Sequence, residues 1–150
     1  MIKKVMVPLD QSQLARKVLD MALSIVDKFD ADLVLLRIDH RPATLDADVV
    51  EQDLDYIDKE TEALLDEATE RLGAHTIHRS RISAEVRSGP LVETIAAAVQ
   101  EHMIDLVIMG THGRSGLYEQ LTGSTSEQIV ANTSVSVLVV KPDGFPYLRD

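Results

Sequence analysis

The chain has 150 residues, 45% of them hydrophobic and 27% charged, with no cysteine and a formal net charge of -10. That length suits one domain (1–150) with a core of its own. The composition excludes a disulfide scaffold, thiolate catalysis and a Cys-ligated metal. The acidic balance argues against nucleic acid as a partner, because duplex binding needs a basic footprint.

The first stretch, "MIKKVMVPLD", lacks a long apolar region and a small-residue cleavage site, so it reads as a core strand over "KKVMVPL" rather than a signal peptide. Ser12 is placed to cap a helix in which Leu14, Val18, Met21, Ala22, Ile25 and Phe29 recur at helical spacing. "DLVLLRI" (Asp32 to Ile38) reads as a second buried strand, and "RPATLDAD" as a loop. A long helix is expected over Val49 to Leu72. Its apolar stripe is Leu54, Ile57, Leu64, Leu65, Ala68 and Leu72, and Gly73 is the expected stop. Between Asp46 and Glu70 eleven acidic residues face a single Lys59, so this segment carries the whole net charge and the remainder is balanced. The economical reading is a solvated helix face.

"HTIHRSRISAEVRSG" holds a more polar strand, suited to a sheet edge, with His75 and His78 on opposite faces of it. Gly89-Pro90 opens a third helix, with Pro90 in its first turn and Leu91, Ile95, Ala98 and Val99 on its apolar face. "DLVIM" (Asp105 to Met109) is a fourth strand. A fourth helix is expected from about Ser124 to Ala131, stopped at Asn132, and "VSVLVVK" is a fifth strand. No apolar run approaches the roughly 20 residues of a membrane span. No histidine shows metal-ligand spacing, so neither a metal site nor a membrane partner is expected.

Continuous apolar strands alternating with amphipathic helices imply an α/β fold. The expectation is a single doubly wound, Rossmann-like parallel sheet of five strands with four helices. Ligands of such sheets bind beyond the carboxyl ends of the strands, where the strand order reverses. Asp10, Asp39 and Gly110 each directly follow a strand on that edge.

The segment "MGTHGRSGLYEQLTGSTSEQ" follows the fourth strand with the spacing Gly110-x2-Gly113-x9-Gly123-Ser124. Glycines let backbone approach a ligand closely. Ser124 and Thr125 fall where a helix begins, and free N–H groups and the helix dipole favour an anion there. Arg114 can add charge or be merely solvated. A plain turn with a capped helix satisfies the same residues, so cradle and turn both stand on physical grounds. Likewise Asp10 can cap a helix, and His112 can be an ordinary loop residue. The motif is neither a Walker A loop nor the G-x-G-x-x-G dinucleotide fingerprint.

With these residues in view, the sequence resembles the universal stress protein family, of the small ATP-binding type with the adenine nucleotide alpha hydrolase-like fold. Gly110, Gly113, Gly123 and Ser124 match that family's G-x2-G-x9-G-[S/T] signature. "VMVPLD", "DLVIMGTHGRSG", Gly89-Pro90 and "VLVVK" match its pattern elsewhere. The resemblance implies that Pro8 and Asp10 end the first strand beneath the nucleotide, with Asp10 on ribose or adenine. It implies that backbone at Ile38 meets adenine. Met109, Gly110, His112 and Gly113 would line the ribose and phosphate path, Arg114 would lie beside it, and Gly123, Ser124 and Thr125 would hold the phosphates. The implied cofactor is ATP with Mg2+ carried on its phosphates, in a cytoplasmic protein that forms a homodimer through Val135 to Val140. The chain departs from the pattern at Ser136, where proline is usual, and at Leu9, where a small or β-branched residue is usual.

The function expected is that of a dimeric nucleotide-dependent stress-response switch. No residue is marked as a catalytic base near the phosphates, so hydrolysis is expected to be slow at most. Two alternatives differ in class: a non-enzymatic interaction module of this fold that needs no nucleotide, and an adenylyl- or phosphoryl-transfer enzyme, for which no catalytic cluster is evident.

Overall fold

The computed structural model describes residues 1–9, 14–39, 59, 61–110 and 125–143. In chain order the elements are β1 (Lys4–Pro8), α1 (Leu14–Phe29), β2 (Asp32–Asp39) and α2 (helical over 61–71). Then come β3 (Ile82–Ser88), α3 (Leu91–Glu101), β4 (Leu106–Gly110), α4 (Thr125–Asn132) and β5 (Ser136–Val140). All strand pairs are parallel, in the order β3-β2-β1-β4-β5. The five-stranded parallel sheet and four helices are those expected from the sequence.

That order follows from a chirality rule. Crossovers between parallel strands are right-handed, so a chain that reverses its direction across the sheet must change face. α1 and α2 cover one face as the chain steps outward from β1 to β3. α3, on the return from β3 to β4, and α4, on the step from β4 to β5, cover the other. Alternate side chains divide between the layers accordingly. Val5, Val7, Leu33, Leu35 and Ile108 pack with Val18, Leu19, Ala22, Leu23 and Val26 of α1 and Leu64 and Ala68 of α2. Met6, Val34, Leu36 and Val107 pack with Ile95, Ala98 and Val99 of α3 and Ile129 of α4. Val5, Met6 and Val7 are wholly buried, as a central strand covered on both faces must be.

Several local expectations shift. In α1 the buried stripe runs through Leu19, Leu23 and Val26, while Met21 and Phe29 are 40% and 48% exposed. Phe29 is the last helical residue, directly before the chain turns at Asp30, whose φ is 54°. There Ala31 N–H reaches back to Val26 O at 3.0 Å, a helix end in the left-handed conformation without the usual glycine. Met103 (φ 52°) ends α3 the same way, with Ile104 N–H donating to Val99 O. α2 does not stop on a left-handed Gly73; it tightens into a 3-10 turn at Leu72–Ala74. The start of α2, with Leu54 and Ile57, lies outside the described residues. Glu62, Asp66 and Glu70 are exposed opposite buried Leu64 and Ala68, so the described part of the acidic run is a solvated face.

β3 begins only at Ile82. His75 and His78 are not strand residues; His78 caps a 3-10 turn at Arg79–Arg81, its ring accepting from Ser80 N–H. Pro90 is the cap of α3 rather than a residue of its first turn. Gly89 before it has φ 141°, and a Cβ there would sit 2.7 Å from Thr94 Oγ1. Only glycine suits that backbone and that approach.

The polarity of β3 has a structural partner. Glu85 accepts from Arg87 Nε at 2.6 Å and pairs with His102 Nε2 at 2.7 Å, and Arg87 also bonds Glu101. Burial pushes the Glu85 carboxyl up, but the hydrogen bonds from Arg87 and His102 outweigh it and hold the carboxyl below its usual range. The edge strand is thus tied by charge to the end of α3.

At the amino edge of the sheet, Asp105 accepts from Lys3 N–H (2.8 Å) and Lys4 N–H (3.0 Å), while Asp105 N–H donates to Lys4 O. These backbone hydrogen bonds hold the Asp105 carboxyl below its ordinary value. A depressed carboxyl pKa contributes stability above the unfolded value and loses it as pH falls through the folded value. Asp105→Ala is therefore expected to lower the thermal midpoint at pH 7, with the gap from the parent closing below about pH 4. Midpoints measured from about pH 2, two units below ordinary carboxylate titration, up to neutrality check this, and a gap that widens in acid would contradict it.

Candidate functional site

β1 and β4 are neighbours in the sheet although three elements of chain separate β2 from β4. Val5 pairs with Leu106 and Met6 with Val107. From β1 the chain leaves toward β2 on one side, and from β4 toward β5 on the other. A reversal of this kind is where doubly wound sheets bind a ligand, at the carboxyl ends of the two strands.

Four of the residues expected at the site can be placed on this edge in full detail. Pro8 ends β1, half-buried and paired with Leu36. Ile38 lies near the end of β2, paired with Arg87, and packs on the α3 side of the sheet. Gly110 ends β4, opposite Val140 of β5. Thr125 is the first residue of α4, followed by Ser126, which is only 5% exposed. Met109 is a core residue, 5% exposed and packed under α3 and α4, with its backbone on β4 directly before Gly110. Asp10, His112, Gly113, Arg114, Gly123 and Ser124 lie outside the described residues.

Leu9, one of the departures noted in the sequence, is 8% exposed and sits in the α1-side core. Its N–H donates to Leu36 O at 2.8 Å, so pairing with β2 continues past Pro8. Its bulk is spent on packing against α1. Ser136, the other departure, begins β5 and pairs with Leu106.

Sequence reasoning assigned Gly110 to backbone freedom. The structure gives it a packing reason. A Cβ at Gly110 would lie 2.6 Å from Leu14 Cδ2, 3.2 Å from Leu14 Cγ and 3.6 Å from Val18 Cγ2. The first turns of α1 thus press directly on the end of β4, and the absence of a side chain at Gly110 sets how closely they approach.

A residue the sequence reading missed is Lys17. Its Nζ donates to Lys141 O and to Asp143 Oδ1, each at 2.7 Å, so the segment after β5 is fastened to α1 on this same edge. A signal was present: α1 has no acidic residue in its first turn, although a helix N-terminus favours acids, and "ARK" puts two cations there.

Among the described residues no group of three or more His, Asp or Glu is arranged to hold a metal, and no helix is long and apolar enough to cross a membrane. What the edge offers among the described residues is backbone at the ends of β1 and β4, the N-termini of α1 and α4, and the hydroxyl of Thr125. That set suits an anionic ligand.

Comparison with known proteins agrees in kind. A model of the universal stress protein family matches residues 1–141. Universal stress protein MJ0531 of Methanocaldococcus jannaschii is 26% identical over 145 residues, spanning 93% of this chain and 82% of that protein. A crystal structure of a universal stress protein in complex with cAMP superposes with a TM-score of 0.68 at 22% identity, over 93% of this chain and 97% of the other. An Arabidopsis thaliana universal stress protein family protein with AMP bound gives 0.63 at 18% identity, over 95% and 93%. At these identities the structural likeness establishes the fold.

The Gly110 contact yields a test. Gly110→Ala is expected to destabilise the fold by about 1–3 kcal/mol through overpacking against Leu14. Adding Leu14→Ala to Gly110→Ala should cost less than the sum of the two single changes, because the clash partner is gone. Denaturant titration of the four proteins reads this, and strict additivity would refute it.

Proposed function

The chain belongs to the universal stress protein family, and on that premise we propose that it binds an adenine nucleotide in the crevice between the carboxyl ends of β1 and β4. The nucleotide proposed is ATP, with Mg2+ carried on its phosphates. The output proposed is a nucleotide-dependent switch in a cytoplasmic homodimer joined through Val135 to Val140. The observation that carries the reading is the reversal of strand order at β1 and β4. The Gly110-x2-Gly113-x9-Gly123-Ser124 spacing runs from the last residue of β4 to the residue before α4. The phosphate motif and the topological crevice are therefore joined by the chain itself.

The roles follow from the chemistry. Asp10 accepts from ribose or adenine, and backbone at Ile38 meets the base beside Pro8. Gly113 and Gly123 let backbone N–H groups approach phosphate oxygens, and Ser124 and Thr125 add hydroxyl donors at the positive end of α4. The cAMP- and AMP-bound relatives support an adenine nucleotide as the class of ligand. Mg2+ needs few protein ligands when phosphates hold it.

Calorimetry against ATP, ADP and AMP, with the nucleotide content of the purified protein, tests the reading. The parent protein is expected to bind ATP. Gly113→Val should lose about tenfold or more in ATP affinity while keeping its thermal midpoint within a few degrees, and Asp10→Ala should weaken ATP and AMP alike. A protein that purifies empty and shows no thermal shift with Mg-ATP would be an interaction module instead.

A further inference from the structure

We infer that Arg87 is a positioning residue for the base: bonded to Glu85 and Glu101, it fixes the carboxyl end of β2 so that backbone at Ile38 selects adenine over guanine. The inference rests on the nucleotide reading above. It adds a residue outside the glycine motif, on a strand that reading does not use.

The end of β2 is held unequally on its two sides. Toward β1, described pairing reaches Pro8 with Leu36, and Leu9 N–H closes it on Leu36 O at 2.8 Å. Toward β3 it continues, with Arg37 paired to Val86, Ile38 to Arg87 and Asp39 to Ser88. Among the described residues, Ile38 therefore takes its place from β3.

β3 is itself an outer strand, so it needs a second hold. Ile82 and Ala84 belong to the core on the α1 and α2 side, which puts Ser83, Glu85 and Arg87 on the α3 side. The core on that side includes Ile38 but, among the described residues, none from β3. Charge does the fastening instead. Arg87 Nε donates to Glu85 Oε1 at 2.6 Å, and Arg87 Nη2 bonds Glu101 at the end of α3. Glu85 Oε2 meets His102 Nε2 at 2.7 Å. The Arg87 side chain is only 18% exposed. Its planar guanidinium, bonded at two points, sets an angle as well as a distance.

Arg87 and Ile38 are thus cross-strand partners on one face of the sheet. Arg87 is locked to α3, and Ile38 has its backbone near the strand's end. Adenine offers an N6 donor where guanine offers an O6 acceptor. Backbone N–H and C=O groups tell these apart only when held still, because hydrogen bonds weaken steeply with misalignment. The phosphate end is insulated from this network, since β2 and β1 stand between β3 and β4. Loosening Arg87 should therefore blur the choice of base and leave phosphate binding almost untouched.

Calorimetry with ATP, GTP and inorganic tripolyphosphate tests this on the parent protein and four variants. The parent is expected to prefer ATP to GTP. Arg87→Met should lower that preference about tenfold, through weaker ATP binding, and change tripolyphosphate affinity less than about twofold. Arg87→Lys keeps the charge without the fork and should fall between. Glu101→Gln alters the network at a side chain 61% exposed, so the protein folds, and should lower the preference about two- to threefold. The double variant Arg87→Met with Glu101→Gln should lose no more than Arg87→Met alone, because both remove one interaction. Should Arg87→Met fail to fold, Glu101→Gln and Arg87→Lys decide. Equal losses of ATP, GTP and tripolyphosphate in these variants would make the network merely structural and overturn the inference. An unchanged ATP-to-GTP ratio, in a parent that binds ATP, would refute the role of Arg87 and leave the nucleotide reading standing. A parent that binds neither nucleotide fails that reading and takes this one with it.

Discussion

The pairing of β1 with β4 is the constraint on which the rest of the molecule depends. β1 is wholly buried at Val5, Met6 and Val7, so each face of it must be covered by a helix layer. Right-handed crossovers allow both layers only if the chain turns outward from β1 in one direction and returns to its other side at β4. The hydrophobic demand of one short strand thereby fixes the strand order. That order puts its reversal between β1 and β4, and at such a reversal doubly wound sheets bind ligands beyond the carboxyl edge. At the opposite edge the Asp105 carboxylate holds the N–H groups of Lys3 and Lys4, so the two central strands are pinned where the crevice is not.

Much of this was legible in the chain. Runs such as "VMVPL", "DLVLLRI" and "DLVIM" are too apolar to be anything but doubly covered strands, and the helices between them are amphipathic. What escaped was detail that depends on where a helix lies against the sheet. The repeat of Leu14, Val18, Met21 and Ile25 suits a helix in isolation. The stripe that the sheet contacts is rotated to include Leu19, Leu23 and Val26, and no single-helix pattern reveals that rotation. β3 was overextended because the stretch from His75 to Arg81 is polar in the way an edge strand can be. Its polar groups instead bond locally, as His78 does with Ser80.

At the candidate site the sequence named the glycine spacing but not the packing reason for Gly110. Its contact with Leu14 joins residues 96 positions apart, and glycine's value there is the volume it does not occupy. Leu9 is the converse: an unusual size at the site's border, explained by the α1-side core it fills. Lys17 escaped because its partners lie more than a hundred residues away. Only its conflict with the helix dipole marks it in the sequence.

The charged cluster on β3 bears on how copies of this fold can meet. Among the described residues β3 and β5 are the two outer strands, and they are unlike. β3 carries Glu85 and Arg87, locked with Glu101 and His102, whereas β5 is "SVLVV". Sheet growth by joining β3 of one copy to β5 of the next would be head-to-tail, with no two-fold axis to close it, and so would run on into a fibre. Charges beside an edge are a common protection against that outcome. The same four side chains that fasten α3 therefore give the molecule a blunt end, and confine open-ended stacking to an arrangement its sequence resists.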